Sequence, residues 1–172
     1  MMNDFREELV ELLPRLRRFA YGLAGHREDA DDLVQAACER ALEHADQWTP
    51  GTRLDSWMFR IVQNLWYDRL RSRKVRGEQV DEAALEHHAD EHAHRLPEVR
   101  NDLAQVATQL QALKPEQRDV LMLVCVESYS YQEAADILQV PVGTVMSRLA
   151  RARQQLQDKL RPPQVAGRKG MA

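Results

Sequence analysis

Residues 130–153 read SYQEAADILQVPVGTVMSRLARAR. Ser130 with Glu133 three positions later is a capping box, so a short helix is expected from there through Leu138. Pro141 marks a tight turn, and a second helix follows. Val145, Leu149, Ala152, Leu156 and Leu160 stripe one face of that helix. Thr144, Ser147, Arg148, Arg151 and Gln155 fall on its other face, and Gly143 lets the helix start approach a surface closely. A capped helix, a short turn and a second amphipathic helix make a helix-turn-helix. Small hydroxyls near the helix start can meet phosphate or bases, and arginine can bind guanine edges bidentately. The competing reading is a bundle helix with a charged outer face; cap, turn and basic face together favour DNA.

Upstream of it, Leu103, Val106, Ala107, Leu110 and Leu113 recur at helical spacing. Pro115 suits a first helical position, and Val120–Val126 is apolar enough to centre a small core. Before that lies a polar, acidic, His-rich stretch without periodicity, closed by Pro97. It has too few apolar side chains to offset the entropy of ordering and reads as a linker. Its histidines His87, His88, His92 and His94 have no evident scaffold to make them a metal site.

The first half of the chain carries three more helical patterns. Phe5, Leu9, Leu12, Leu13, Leu16, Phe19 and Leu23 form the first, with a kink or a fresh start expected at Pro14. Glu28, Asp29, Asp31 and Asp32 open the second, where the helix dipole favours acids; its stripe is Leu33, Val34, Ala37, Ala41, Leu42 and Ala45. Thr52 with Asp55 is read as the cap of the third, striped by Leu54, Trp57, Met58, Ile61, Val62, Leu65, Trp66 and Leu70. The fold class is therefore all-α: two small helical domains joined by a flexible linker, the C-terminal one a helix-turn-helix. The expected boundaries are 1–76, a linker at 77–99, 100–161, and a disordered tail at 162–172.

Composition excludes much else. The 172 residues are 44% hydrophobic and 30% charged, which permits a core and excludes global disorder. No apolar run reaches the roughly 20 residues of a membrane span, and the N-terminus lacks a secretory signal, so a cytoplasmic location is expected. Cys38 and Cys125 make no disulfide framework and are expected to be buried, inert thiols. No phosphate-binding glycine loop, nucleophile elbow or metal-ligand spacing occurs, so neither an enzyme nor a cofactor is expected.

Charge is distributed in blocks. Residues 1–50 carry 6 basic and 11 acidic side chains, residues 51–76 carry 7 and 2, residues 77–102 carry 2 and 8, and residues 103–172 carry 9 and 6. Two basic patches on an otherwise acidic chain suggest two polyanion contacts. In the first patch, Arg53, Arg60, Arg69, Arg71, Arg73, Lys74 and Arg76 accompany Trp57, Phe59, Trp66 and Tyr67. That mixture suits unstacked bases, although Trp66 shares the apolar stripe and is expected in the core.

The segments Asp29–Gln35 (DADDLVQ), Leu54–Asn64 (LDSWMFRIVQN) and Asp68–Arg71 (DRLR) resemble domain 2 of the extracytoplasmic-function (ECF) sigma factors. Leu113–Arg153, including YQEAA and VGTVMSRLARAR, resembles their domain 4. The likeness covers about residues 5–76 and 100–160, in order. Ala36 stands where the motif usually has an acid, and Lys114 separates Leu113 from Pro115.

That resemblance implies promoter recognition with bacterial RNA polymerase core, through its β′ clamp helices and β flap, and control by an anti-sigma factor, without membrane insertion. Clamp docking would fall on Asp29, Asp32, Leu33 and Gln35. Melting and reading the −10 element would fall on Trp57, Arg60, Asn64, Asp68 and Arg71. Reading the −35 element would fall on Thr144, Ser147, Arg148 and Arg151, with Arg153 nearer the phosphates. The alternative is a stand-alone helix-turn-helix regulator with an N-terminal helical interaction domain; a further rival is a polymerase-bound inhibitor without DNA contact.

Overall fold

The computed structural model describes residues 2–77 and 105–160, and every regular element among them is helical. The expected tail lies outside those residues, as does the linker apart from Gly77. In the first half, α1 spans Met2–Ala24, α2 Arg27–Glu43 and α3 Leu54–Val75, with a short 3-10 turn at Ala45–Gln47. In the second half, α4 covers 105–111 and α5 runs Pro115–Leu121 into a π-helical turn at Met122–Val126. Then come α6 (Tyr131–Leu138) and α7 (Val142–Leu160).

The apolar stripes pack these helices as their spacing requires. Phe19 of α1, Leu33 of α2 and Val62 of α3 are fully buried together, and α1, α2 and α3 contact one another pairwise. In the second half Val120, Val145 and Leu149 are buried where α5 and α6 meet α7. Each such side chain contributes about 1.5–3 kcal/mol by leaving water. The two interiors merge into one cluster, because α3 packs on α6 and α1 on α5 and the π turn.

Local signals mostly hold. Pro115 is in the first turn of α5. The capping box at α6 is complete: Ser130 Oγ accepts the Glu133 N–H at 3.2 Å, and the Glu133 carboxylate accepts the Ser130 N–H at 2.8 Å. Gln139 turns the chain toward α7 in the left-handed region at φ 54°.

Of the kink or fresh start expected at Pro14, the fresh start is absent, since helix α1 runs through it; Pro14 and Val10 both face solvent, so water can serve the carbonyl that proline leaves unpaired. Four expectations are corrected. Thr52 does not cap α3, since its hydroxyl donates to the Thr49 carbonyl at 2.6 Å and no side chain caps that helix. Leu42 and Val106 are exposed, outside the core assigned to them. Cys125 is exposed and Cys38 only half-buried. The wide π turn shifts the facing of its residues, burying Met122 and Leu123 while Cys125 and Val126 emerge.

Candidate nucleic-acid and protein interfaces

The residues singled out on α2 divide by exposure. Asp32 and Gln35 are exposed, and Gln35 donates to Glu39 at 3.0 Å within the helix. Asp29 is half-buried, tied to α3 by Arg73 at 3.2 Å and through its carbonyl to Arg69 at 3.3 Å. Leu33 is fully buried. It can shape a docking face only from beneath, because its side chain faces α1 and α3 instead of a partner.

On α3 the expected −10 residues are spread along one helix. Asn64, Asp68 and Arg71 are exposed, and Asp68 pairs with Arg71 one turn on. Trp57 is half-buried, edge-on to Phe5 at 6.2 Å. Trp66 is core, as its place on the stripe required, and so is Phe59, packed edge-to-face on Phe19 at 4.8 Å. Toward the end of the helix, Leu65, Asp68, Arg69, Ser72, Arg73 and Arg76 line an open cleft of about 350 Å³.

Arg60 is not free. Its Nη2 donates to the Asp136 carbonyl at 2.6 Å and its Nε to the Ile137 carbonyl at 3.3 Å. Both oxygens belong to the last turn of α6, where helix carbonyls lack intrahelical partners and carry the negative end of the dipole.

On α7, Ser147, Arg151 and Arg153 are exposed while Val145, Leu149 and Ala152 are buried. Thr144 and Arg148 are half-buried. No side chain would clash at Gly143, which has open space around it. Arg153 lies near Cys125, with Nη2 to Sγ at 3.9 Å.

Between the two halves lies a polar seam that the sequence did not announce. The Glu127 side chain, almost wholly buried, accepts Arg15 Nε at 2.9 Å and Arg18 at 2.7 Å, both from α1. Arg15 also reaches Asp55 at 3.2 Å, and Arg53 bridges Asp55 and Glu133. Burial would raise the Asp55 carboxyl, but bonds from Arg53, Tyr129 and the Ser56 N–H prevail and hold it down at about 2. Burial likewise raises the Tyr129 hydroxyl, with Asp55 adding to it, to about 12.

At the other end of the seam, Tyr67 Oη donates to Asp119 Oδ2 at 2.6 Å. Burial pushes the Asp119 carboxyl up to about 7, against the opposing pull of Tyr67, Arg118, Gln63 and Arg148. Its Oδ1 is buried without a hydrogen-bond partner, which also favours the neutral acid. Arg118 is buried and donates to the carbonyls of Leu23, Gln111 and Leu113, closing the end of α1 against the α4–α5 turn. The acids that flank the apolar run Val120–Val126, Asp119 before it and Glu127 after it, were the available signal. Which element each would face was not readable from one chain.

With this geometry in place, the comparisons are specific. The Sigma-70 region 2 family matches residues 9–76, and the Sigma-70 region 4 family matches residues 103–156. The ECF sigma factor EcfG of Rhodopseudomonas palustris is 34% identical over 159 residues, covering 91% of this chain and 84% of that protein. The chain belongs to the ECF family of RNA polymerase sigma factors. SigW of Bacillus subtilis is 30% identical, covering 92% of this chain and 90% of SigW. Among solved structures, the sigma factor RpoE of Bartonella quintana, in complex with the anti-sigma factor NepR, superposes with a TM-score of 0.76 at 31% identity. That match covers 92% of this chain and 99% of RpoE. CnrH in complex with the cytosolic domain of CnrY gives a TM-score of 0.69 at 26% identity, covering 93% of this chain and 89% of CnrH.

As an ECF sigma factor, the chain binds RNA polymerase core and directs initiation at specific promoters. The family acts by binding and not by bond chemistry. Among the described residues no group of His, Cys, Asp and Glu could hold a metal ion, and no helix is long and apolar enough to cross a membrane. The linker histidines lie outside those residues.

Proposed function

We propose that this sigma factor divides its task among three faces, as two functional units, 1–76 and 100–161, joined through 77–99. The exposed acids of α2 dock on the β′ clamp helices, with Asp32 and Gln35 in contact and Leu33 holding the face from below. Asp29 positions α3 through Arg73 and Arg69. Trp57, Arg60, Asn64, Asp68 and Arg71 take the −10 strand, where aromatic and basic groups can hold unstacked bases. Thr144, Ser147, Arg148 and Arg151 read the −35 duplex, Arg153 holds its backbone, and the second half meets the β flap. The protein acts in the cytoplasm. An anti-sigma factor controls it; RpoE and CnrH, its structural relatives, were each solved with a bound partner.

The observation that carries this reading is the outer face of α7. A capped helix-turn-helix presents Ser147 and Arg151 to solvent while Val145 and Leu149 are buried beneath. Docking is tested with Asp32→Lys, which leaves the Asp29–Arg73 pair intact. Loss of co-purification with core polymerase at unchanged helicity is expected. Retained core binding rejects the α2 assignment, and tight specific DNA binding without core favours a stand-alone regulator.

A further inference from the structure

The seam joins groups that promoter binding needs. Arg60 spends its guanidinium on two α6 carbonyls, and Arg53 spends its own on Asp55 and Glu133. Oxygens at a helix C-terminus and a carboxylate offer arginine the same acceptor chemistry as a phosphate. Helix α6 therefore sits on α3 as an internal substitute for a nucleic-acid backbone.

The seam is built like a contact that can part. Arg15, Arg18 and Arg53 keep roughly a third to a half of their side chains in water, so they rehydrate readily once released. Desolvated ion pairs fix geometry while adding little net stability, unlike an apolar interior. Its apolar contacts include the Phe59–Tyr129 edge contact at 5.7 Å and Met122 lying over Gly22. Each half also keeps buried residues of its own, Leu33 and Val62 in one and Val145 and Leu149 in the other.

We infer that the packed arrangement is a self-inhibited state of this sigma factor, in which α6 and the Glu127 turn occupy the arginines of α3 and α1 until the two halves separate. The inference rests on the assignment of Arg60 to promoter DNA made above. It requires no second protein to mask that residue; opening belongs to the step in which core polymerase takes up the chain. The closed state lowers apparent DNA affinity by the fraction of molecules that are open.

Gly22 supplies a lock. A Cβ there would lie 3.1 Å from Met122 Cγ, so cysteines at 22 and 122 fall within the Cβ separation that a disulfide spans. Gly22→Cys/Met122→Cys in a Cys38→Ser/Cys125→Ser background is oxidised, its cross-link verified by mass, and mixed with core polymerase on a promoter library. The cross-linked protein should lose run-off transcription on the order of tenfold or more, with recovery on adding dithiothreitol. In the opposite direction, Glu127→Gln should bind a fluorescent mixed-sequence single-stranded 20-mer on the order of tenfold more tightly than the parent. Adding Arg60→Ala should remove that gain. Equal transcription by cross-linked and reduced protein overturns self-inhibition, and so does unchanged oligonucleotide binding by Glu127→Gln. Should the cross-link not form, the Glu127→Gln measurement decides alone. Failure of the reduced protein and the parent alike to bind core rejects the promoter-factor reading instead, and the inference falls with it.

Discussion

On α3, Arg53 rests on Asp55 and Glu133, Arg60 on two carbonyls of α6, and Arg73 on Asp29. On α7, Arg151 stands exposed, and the Ser147 hydroxyl donates to the Thr144 carbonyl one turn back. Both helices are amphipathic with basic outer residues, and their compositions invite the same reading. The difference lies in what the rest of the chain brings to them. Helix α3 is central, covered by α2 on one side and α6 on another, whereas α7 packs on α5 and α6 and leaves its outer side bare. On the reading proposed above, the basic face of α7 is open to DNA at once, and that of α3 only after its intramolecular partners withdraw.

The largest effects expected from breaking this comparison are on α7. A lost bidentate base contact costs about 1–3 kcal/mol and relaxes preference at one base position. Arg148→Ala should therefore change the preferred −35 sequence in transcription from a library randomised across that element. Arg153→Ala should lower output on all sequences alike and flatten the salt dependence, as losing a phosphate contact does. Arg151→Ala, on the bare face, should weaken duplex binding by the free chain, while Arg53→Ala should not. If Arg53→Ala weakened free-chain binding as much as Arg151→Ala, the contrast between the two helices would be void.

The helical architecture was legible because it rests on local rules: apolar spacing, a capping box and proline at a helix start. Those rules placed α2, α3, α6 and α7 with their buried stripes. Exceptions arose where a distant partner intervened. Asp55 was read as half of a cap and is instead the junction of Arg15 and Arg53, because α1 brings Arg15 to that end of α3. Leu33 lies within the acidic motif and was grouped with its contacts, yet burial against two neighbouring helices removes it from any surface. Arg60 was read as a nucleic-acid contact by type and position, whereas the partners it has in the structure are α6 backbone carbonyls 76 and 77 residues away, invisible to any side-chain pattern.

The two ends of the seam should also differ in their response to pH. Asp119 has a folded-state pKa of about 7, above its ordinary value of 3.8. The folded chain therefore holds a proton that the unfolded chain has released. The stability contribution is full below about pH 4, declines as pH rises, and levels off above about 7. The slope is at most about 1.4 kcal/mol per pH unit. Asp55, held down at about 2, acts in the opposite sense: its contribution is complete above about pH 4 and is lost as pH falls through 2. Thermal melts from pH 5 to 8 should show a falling melting temperature in the parent and a flatter profile in Asp119→Asn. A parent profile without slope would mean that Asp119 stays ionised throughout.

The smallest effect expected is at the cap of α6, and it separates helix stability from seam charge. Glu133 serves both: its carboxylate accepts the Ser130 N–H and pairs with Arg53 across the seam. Ser130 serves the cap alone, through the Glu133 N–H. Ser130→Ala should cost about 1 kcal/mol, or roughly 2–4 °C in melting temperature for a chain of this size. Glu133→Gln keeps a side chain able to close the capping box, so the helix end should survive, while Arg53 loses one of its two carboxylates. If α6 matters to α3 only as a packed helix, Ser130→Ala should loosen the seam and Glu133→Gln should leave it unchanged. If its charge occupies Arg53, Glu133→Gln should speed hydrogen exchange along the first turns of α3 at nearly unchanged melting temperature, and Ser130→Ala should lower the melting temperature without singling out that segment.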